Sequence, residues 1–177
     1  MKITRKFISS TIREHLSEQT NNSDFKTWFD GSRVVDKNGN PLLVYHGGSK
    51  FNTFNIPSQG DKGLYFTDNY YFALFFAMQH EMVERDRKGD WDDIPEDILN
   101  KWDNEGDIDE KYLKYSEIKK AYLKMLNPII RDGMDAKVIP RLYDNRHDGV
   151  IVKSTGDFGY SGGQYVVFSN EQIWLKK

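Results

Sequence analysis

Cysteine is absent from the 177 residues. This excludes disulfides and Cys-ligated zinc, and it fits a reducing, cytoplasmic setting. Long apolar runs are missing too. The first twenty residues, MKITRKFISSTIREHLSEQT, carry charges throughout, so neither a secretory signal nor a membrane contact is expected. Excess charge is lacking: 25 Lys+Arg against 27 Asp+Glu gives −2. That is too little for global attraction to nucleic acid or an anionic membrane, although a locally basic face stays open. Familiar catalytic signatures are lacking as well. His80-Glu81 begins like a zinc-protease helix, but Glu84 stands where the second His is required, so no metal is expected. No serine sits in a nucleophile-elbow pattern. Gly159, Gly162 and Gly163 precede a strand-like run, whereas a phosphate loop needs a helix N-terminus facing the anion.

Aromatic residues are plentiful, with 11 Phe, 10 Tyr and 4 Trp. They can build a core despite a mean hydropathy of −0.72. The length suits one domain spanning 1–177. Residues 1–24 read as a helical extension, with Ile3, Phe7, Ile8, Ile12 and Leu16 at helical spacing and a basic opposite face. That face is either a solvated side of a packing helix or an RNA-contacting arm. Asn21 to Asp24 looks like a turn with an N-cap, and Phe25, Trp28 and Phe29 follow at helical spacing. Two β-rich runs, SRVVD and PLLVYHGG, flank Asn38-Gly39 and predict a hairpin. LYFT (64–67) is a predicted strand. A helix capped by Asp68 or Thr67 should start near Asn69. Residues 81–120 are acidic and read as a helical insertion, either a cover or a partner-binding element. Further strands are predicted at 121–126, 148–152 and 164–168, with a short helix around 134–143. The order is α+β.

One constellation stands out. His46 ends an apolar strand directly before Gly47 and Gly48, where a ligand can approach the backbone closely. Tyr65 lies on another short strand, and Gln164 starts a third after the glycine-rich loop. His147 beside Asp148 reads as a surface turn with a contact role open.

These stretches resemble the ADP-ribosyltransferase family, in its bacterial polymorphic-toxin and phage polyvalent-protein branch. The resemblance rests on FKTWFDGSRVVDKNGNPLLVYHGG (25–48), FNTF (51–54), GLYFTD (63–68), ALFFA (73–77), LNP (126–128), DGVIV (148–152) and QYVVFSNEQI (164–173). It implies a split β-sheet core and NAD as co-substrate. It also implies a His–Tyr–Glu catalytic set falling on His46, Tyr65 and Gln164. His46 would hold a ribose hydroxyl, and Gly47 would pair with the nicotinamide carboxamide. Tyr65 would stack on the nicotinamide ring, with Phe76 closing the pocket and Gly48 and Phe66 completing the NAD contacts. All three catalytic side chains should line one cleft.

The departure is Gln164, where the family's enzymes carry Glu. Glu stabilises the positive charge that develops as nicotinamide leaves, and Gln carries no charge. An inactivating Glu→Gln change, a slow natural variant and a catalytically silent NAD or ADP-ribose binder all stay open. The implied function is mono-ADP-ribosyl transfer by a toxin or effector to an RNA or DNA base or a protein side chain. The alternatives are a silent binder and an NAD glycohydrolase. An antitoxin or immunity protein is the implied partner.

Overall fold

The computed structural model describes residues 20–51, 53–54, 56, 63–98, 109–133, 146–155 and 161–176. The expected helices over 1–19 and 134–143 lie outside them, as do parts of the acidic insertion and of the glycine-rich loop.

Helix α1 (Ser23–Phe29) starts where Asn22 Oδ1 accepts the N–H groups of Asp24 and Phe25. Its Phe25 and Phe29 pack with Tyr122 and Trp174 into an aromatic cluster. The next segment departs from expectation. Asp36 uses its carboxylate to accept the N–H groups of Asn38 and Asn40, and Gly39 takes φ 82°. The turn forms, and its arms are held by Asp36 N–H to Asn40 O, Leu42 N–H to Val34 O and one isolated bridge, Val35↔Pro41, without a continued ladder among the described residues. The local Asp36 bonds compete with a ladder, so SRVVD is a tight turn arm rather than a sheet strand.

Among the described residues, seven strands form one mixed sheet: β1 (Val44–Ser49), β2 (Leu64–Thr67), β3 (Ser116–Leu123), β4 (Ile129–Arg131), β5 (Gly149–Thr155), β6 (Gly162–Val167) and β7 (Ile173–Leu175). Their order is β4-β5-β6-β2-β1-β3-β7. Of these strands, β4 and β5 pair in parallel and the other neighbours antiparallel. One face carries Val44, Phe66, Ala121, Leu123, Ile151, Tyr165 and Val167, which join Val34, Phe54 and Met125 in the main core.

The other face of β1 and β3 is covered by helix α2 (Tyr70–Lys88). Its cap is Asn69, which accepts from Tyr71 and Phe72 N–H, in place of the expected Asp68 or Thr67. The helix comes extremely close to β1. A Cβ built on Gly47 would lie 1.7 Å from the Ala73 carbonyl oxygen. Glycine is required here by helix approach, and small Ala73 and Ala77 complete the contact.

The helix runs through Lys88 and strand β3 begins at Ser116, so both ends of the 81–120 segment are regular parts of the α+β fold. A buried ion cluster ties them together. Glu81 accepts N–H groups of Lys114, Tyr115 and Ser116, the Ser116 hydroxyl, and Arg85 Nε at 2.7 Å. Arg85 also reaches Asp93 and the carbonyls of Asp90 and Tyr112. Burial pushes the Glu81 carboxyl up. The Tyr115 and Lys114 N–H groups, Ser116 and Arg85 outweigh it and hold the group below its usual range.

Candidate active site at a split in the sheet

Strand β1 pairs with β3 along its whole length, from Val44↔Ala121 to Ser49↔Ser116. Toward β2, among the described residues, it pairs only at Tyr45↔Thr67. Lys50 N–H donates to Tyr115 O in the same β1–β3 register. By the alternation of an antiparallel ladder, residues 44, 46 and 48 then aim their backbone groups at β3. Gly47 therefore aims its N–H and C=O at β2. Continuing the β1–β2 register would set Gly47 opposite Tyr65, but that pair does not form.

At this point the His46 ring crosses to β2 instead. Its Nδ1 lies 2.8 Å from the Tyr65 carbonyl oxygen, the acceptor that Gly47 N–H would use in a continued ladder. A carbonyl only accepts, so Nδ1 carries the proton and donates. Phe51, Phe54 and Phe66 surround the ring, with centroids 5.8, 5.4 and 5.4 Å away. Burial lowers the His46 pKa below the ordinary value, against the raising effect of the Tyr65 bond, and nearby His80 and Lys119 lower it further. The ring is neutral at pH 7, and Nε2 keeps its lone pair. That nitrogen borders Gly48, where a Cβ would approach it to 3.1 Å.

The β2–β6 ladder matches Tyr65 with Val166 and Thr67 with Gln164. Opposite residues share a face, so Tyr65 and Gln164 stand as diagonal neighbours on the face that α2 covers, with α-carbons about 7–8 Å apart. Gly47 opens to the same side. His46 leaves β1 toward the opposite face, with Phe66 and Tyr165. The three predicted positions thus lie on three consecutive strands. His46 and Tyr65 meet through ring and carbonyl, and Tyr65 and Gln164 share a face. His46 projects from the face opposite Tyr65 and Gln164, and its ring reaches the Tyr65 carbonyl across the edge where the β1–β2 ladder stops.

Gln164 is buried, at 7% exposure, and Tyr65 is half-buried. Phe66 is buried against Phe54 and the His46 ring. It packs against the histidine ring and is 2% exposed. Phe76 sits on α2 beside Phe72 and Phe75 and is 39% exposed.

Several residues at the site had no sequence signal tying them to it. Glu117 accepts Phe51 N–H and pairs with Lys119 at 2.8 Å beside the His46 pocket. Their charges read as insertion surface. Ser49 Oγ and His80 Nδ1 stand 3.5 Å apart at the end of β1. Asp68 accepts the Gly163 N–H, and Tyr165 donates its hydroxyl to it.

Away from the split, His147 borders a cavity of about 580 Å³ with Trp28, Lys124, Leu126 and Phe168. Asp148 receives the N–H groups of Leu126 and Asn127. Among the described residues no cluster of three His, Asp or Glu is arranged to hold a metal. No helix among them is long and apolar enough to cross a membrane.

The family described as ADP-ribosyltransferase in polyvalent proteins matches residues 36–175, a span that contains every residue of the split. No curated protein matches the chain.

Proposed function

The chain belongs to the ADP-ribosyltransferase family, in its polyvalent-protein branch, and on that premise we propose that it binds NAD at the β1–β2 split and transfers ADP-ribose to a macromolecule. The observation that carries this reading is the interrupted ladder. His46 occupies the Tyr65 carbonyl, which leaves Gly47 with a donor and an acceptor aimed into the gap. A carboxamide presents the complementary pair. The neutral His46 Nε2 accepts a ribose hydroxyl, and Tyr65 offers a π-face to the cationic nicotinamide ring. Gln164, on the same face as Tyr65, hydrogen-bonds the ribose 2′-hydroxyl. It supplies no charge to the carbon that becomes positive as nicotinamide departs.

Transfer by this chain is therefore slow, and Gln164→Glu raises it by a hundredfold or more, the usual worth of one well-placed electrostatic contact. Incubation of both chains with labelled NAD and cell lysate tests this. Label on RNA, DNA or protein identifies the acceptor class. Free labelled ADP-ribose without macromolecular label marks a glycohydrolase instead. If neither chain consumes NAD, the transferase reading fails. The uncharged Gln164 favours one second reading, a silent NAD or ADP-ribose binder, which calorimetry would reveal as binding without turnover. The setting we propose is a cytoplasmic toxin or effector held in check by an antitoxin or immunity protein.

A further inference from the structure

The turn between β2 and α2 does more than connect them. Asp68 Oδ1 accepts the Gly163 N–H at 2.8 Å, and its Oδ2 accepts the Tyr165 hydroxyl at 3.2 Å. Asn69 Nδ2 donates to the Ser161 carbonyl at 2.8 Å. These three bonds grip the chain on both sides of residue 164. The grip leaves no room for side chains. A Cβ on Gly162 would lie 2.8 Å from Asp68 Oδ1 and 3.0 Å from Asn69 Cβ, and one on Gly163 would lie 2.7 Å from the Tyr165 hydroxyl. Two glycines before Gln164 are therefore a fit to Asp68, not a phosphate loop.

The same turn also anchors the other side of the site. Asn69 caps α2 through Oδ1, and Thr67 Oγ1 accepts the Asn69 N–H. Helix α2 then carries Ala73 onto Gly47. Residues 67–69 thus link the start of β6 to the helix that backs the split.

We propose that Asp68 is a positioning residue for position 164: its carboxylate fixes the Gly162-Gly163 approach, and so the place from which residue 164 meets the ribose. The second half rests on the NAD reading above. Burial and the neighbouring Asp68 carboxylate keep the Tyr165 hydroxyl protonated, so it remains a donor to Asp68 across the neutral range.

Two measurements on the full chain separate the latch from its consequence. Amide hydrogen exchange at Gly163 needs no ligand. Asp68→Ala should speed exchange there about tenfold or more, as expected for loss of a charged acceptor. Asp68→Asn, whose amide oxygen still accepts, should restore protection. Unchanged Gly163 exchange in Asp68→Ala overturns the proposal. Calorimetric titration with NAD reads the consequence in a double-mutant cycle. With Gln164 present, Asp68→Ala should weaken binding about tenfold; in the Gln164→Ala background it should weaken it less than about twofold. Equal losses in both backgrounds would mean general destabilisation and would sink the positioning role. If the latch opens as expected but even the parent chain fails to bind NAD, the NAD reading fails and the positioning role falls with it.

Discussion

Replacing Gly47 with alanine puts a Cβ 1.7 Å from the Ala73 carbonyl oxygen, 2.7 Å from the Ala73 carbonyl carbon and 2.8 Å from the Ala77 nitrogen. Real Cβ contacts essentially never fall below 3.0 Å, so α2 must retreat by at least about 1.3 Å. The obstacle is helix backbone, which no rotamer change removes. Retreat is opposed by the Glu81 contacts to residues 114–116 and by Asn69, which holds Ser161. Overpacking costs about 1–3 kcal/mol where neighbours relax. Here the cost should reach the upper end, about 3 kcal/mol, which lowers Tm by roughly 6–12 °C for a chain of this size. Differential scanning calorimetry of the two proteins measures it. Gly39→Ala is the control. It has nothing within 4 Å but sits at φ 82°, so it pays only backbone strain, about 1–2 kcal/mol. A Gly47→Ala protein melting within 2 °C of the parent, or above Gly39→Ala, would refute the close packing of α2 on β1.

Gly48→Ala separates binding from folding: its Cβ would press on His46 Nε2 at 3.1 Å, so NAD affinity should fall about tenfold with a Tm change under about 3 °C, and unchanged affinity would remove Nε2 from the ligand's path. Arg85→Met strands the buried Glu81 carboxylate. It should cost about 3–5 kcal/mol in urea unfolding, and a loss under about 1 kcal/mol would show the cluster to be dispensable. His46 has a folded pKa below its ordinary 6.5. The unfolded chain therefore takes up the proton first, and stability should decline as pH falls from about 6.5 toward the folded value. His46→Gln should remove that part of the slope, and an identical pH–stability curve in the variant would contradict a neutral, half-buried ring.

Legible in the chain alone were those elements whose local pattern and burial agree. LYFT and QYVVF alternate or run apolar and became β2 and β6, offset by no more than two residues. The helix after Asn69 and the α1 cap at Asn22 follow from side-chain chemistry within four residues. His46, Tyr65 and Gln164 could be singled out because each lies in a strand-like run within two residues of a glycine, although β1 runs on past His46 to Ser49 and β6 starts two residues before Gln164. The order of these motifs was enough to point to the family, since it depends on the sequence of elements and not on their contacts.

What stayed hidden depends on partners distant in the chain. Ser116–Lys120 looked like charged insertion, yet it is sheet. Ile118 is buried under α2 while Glu117 and Lys119 pair at the mouth of the His46 pocket. Glu81 and Arg85 look like an ordinary surface pair at i,i+4, and only the arrival of residues 112–116 buries them. The split itself is the clearest case. No local pattern says that a histidine ring will take the carbonyl its neighbouring glycine would have used. A strand's own residues set which faces its side chains occupy, but where a ladder stops depends on what competes for its hydrogen bonds. Here the competitor is His46, held against Tyr65 by three aromatic rings from two other segments.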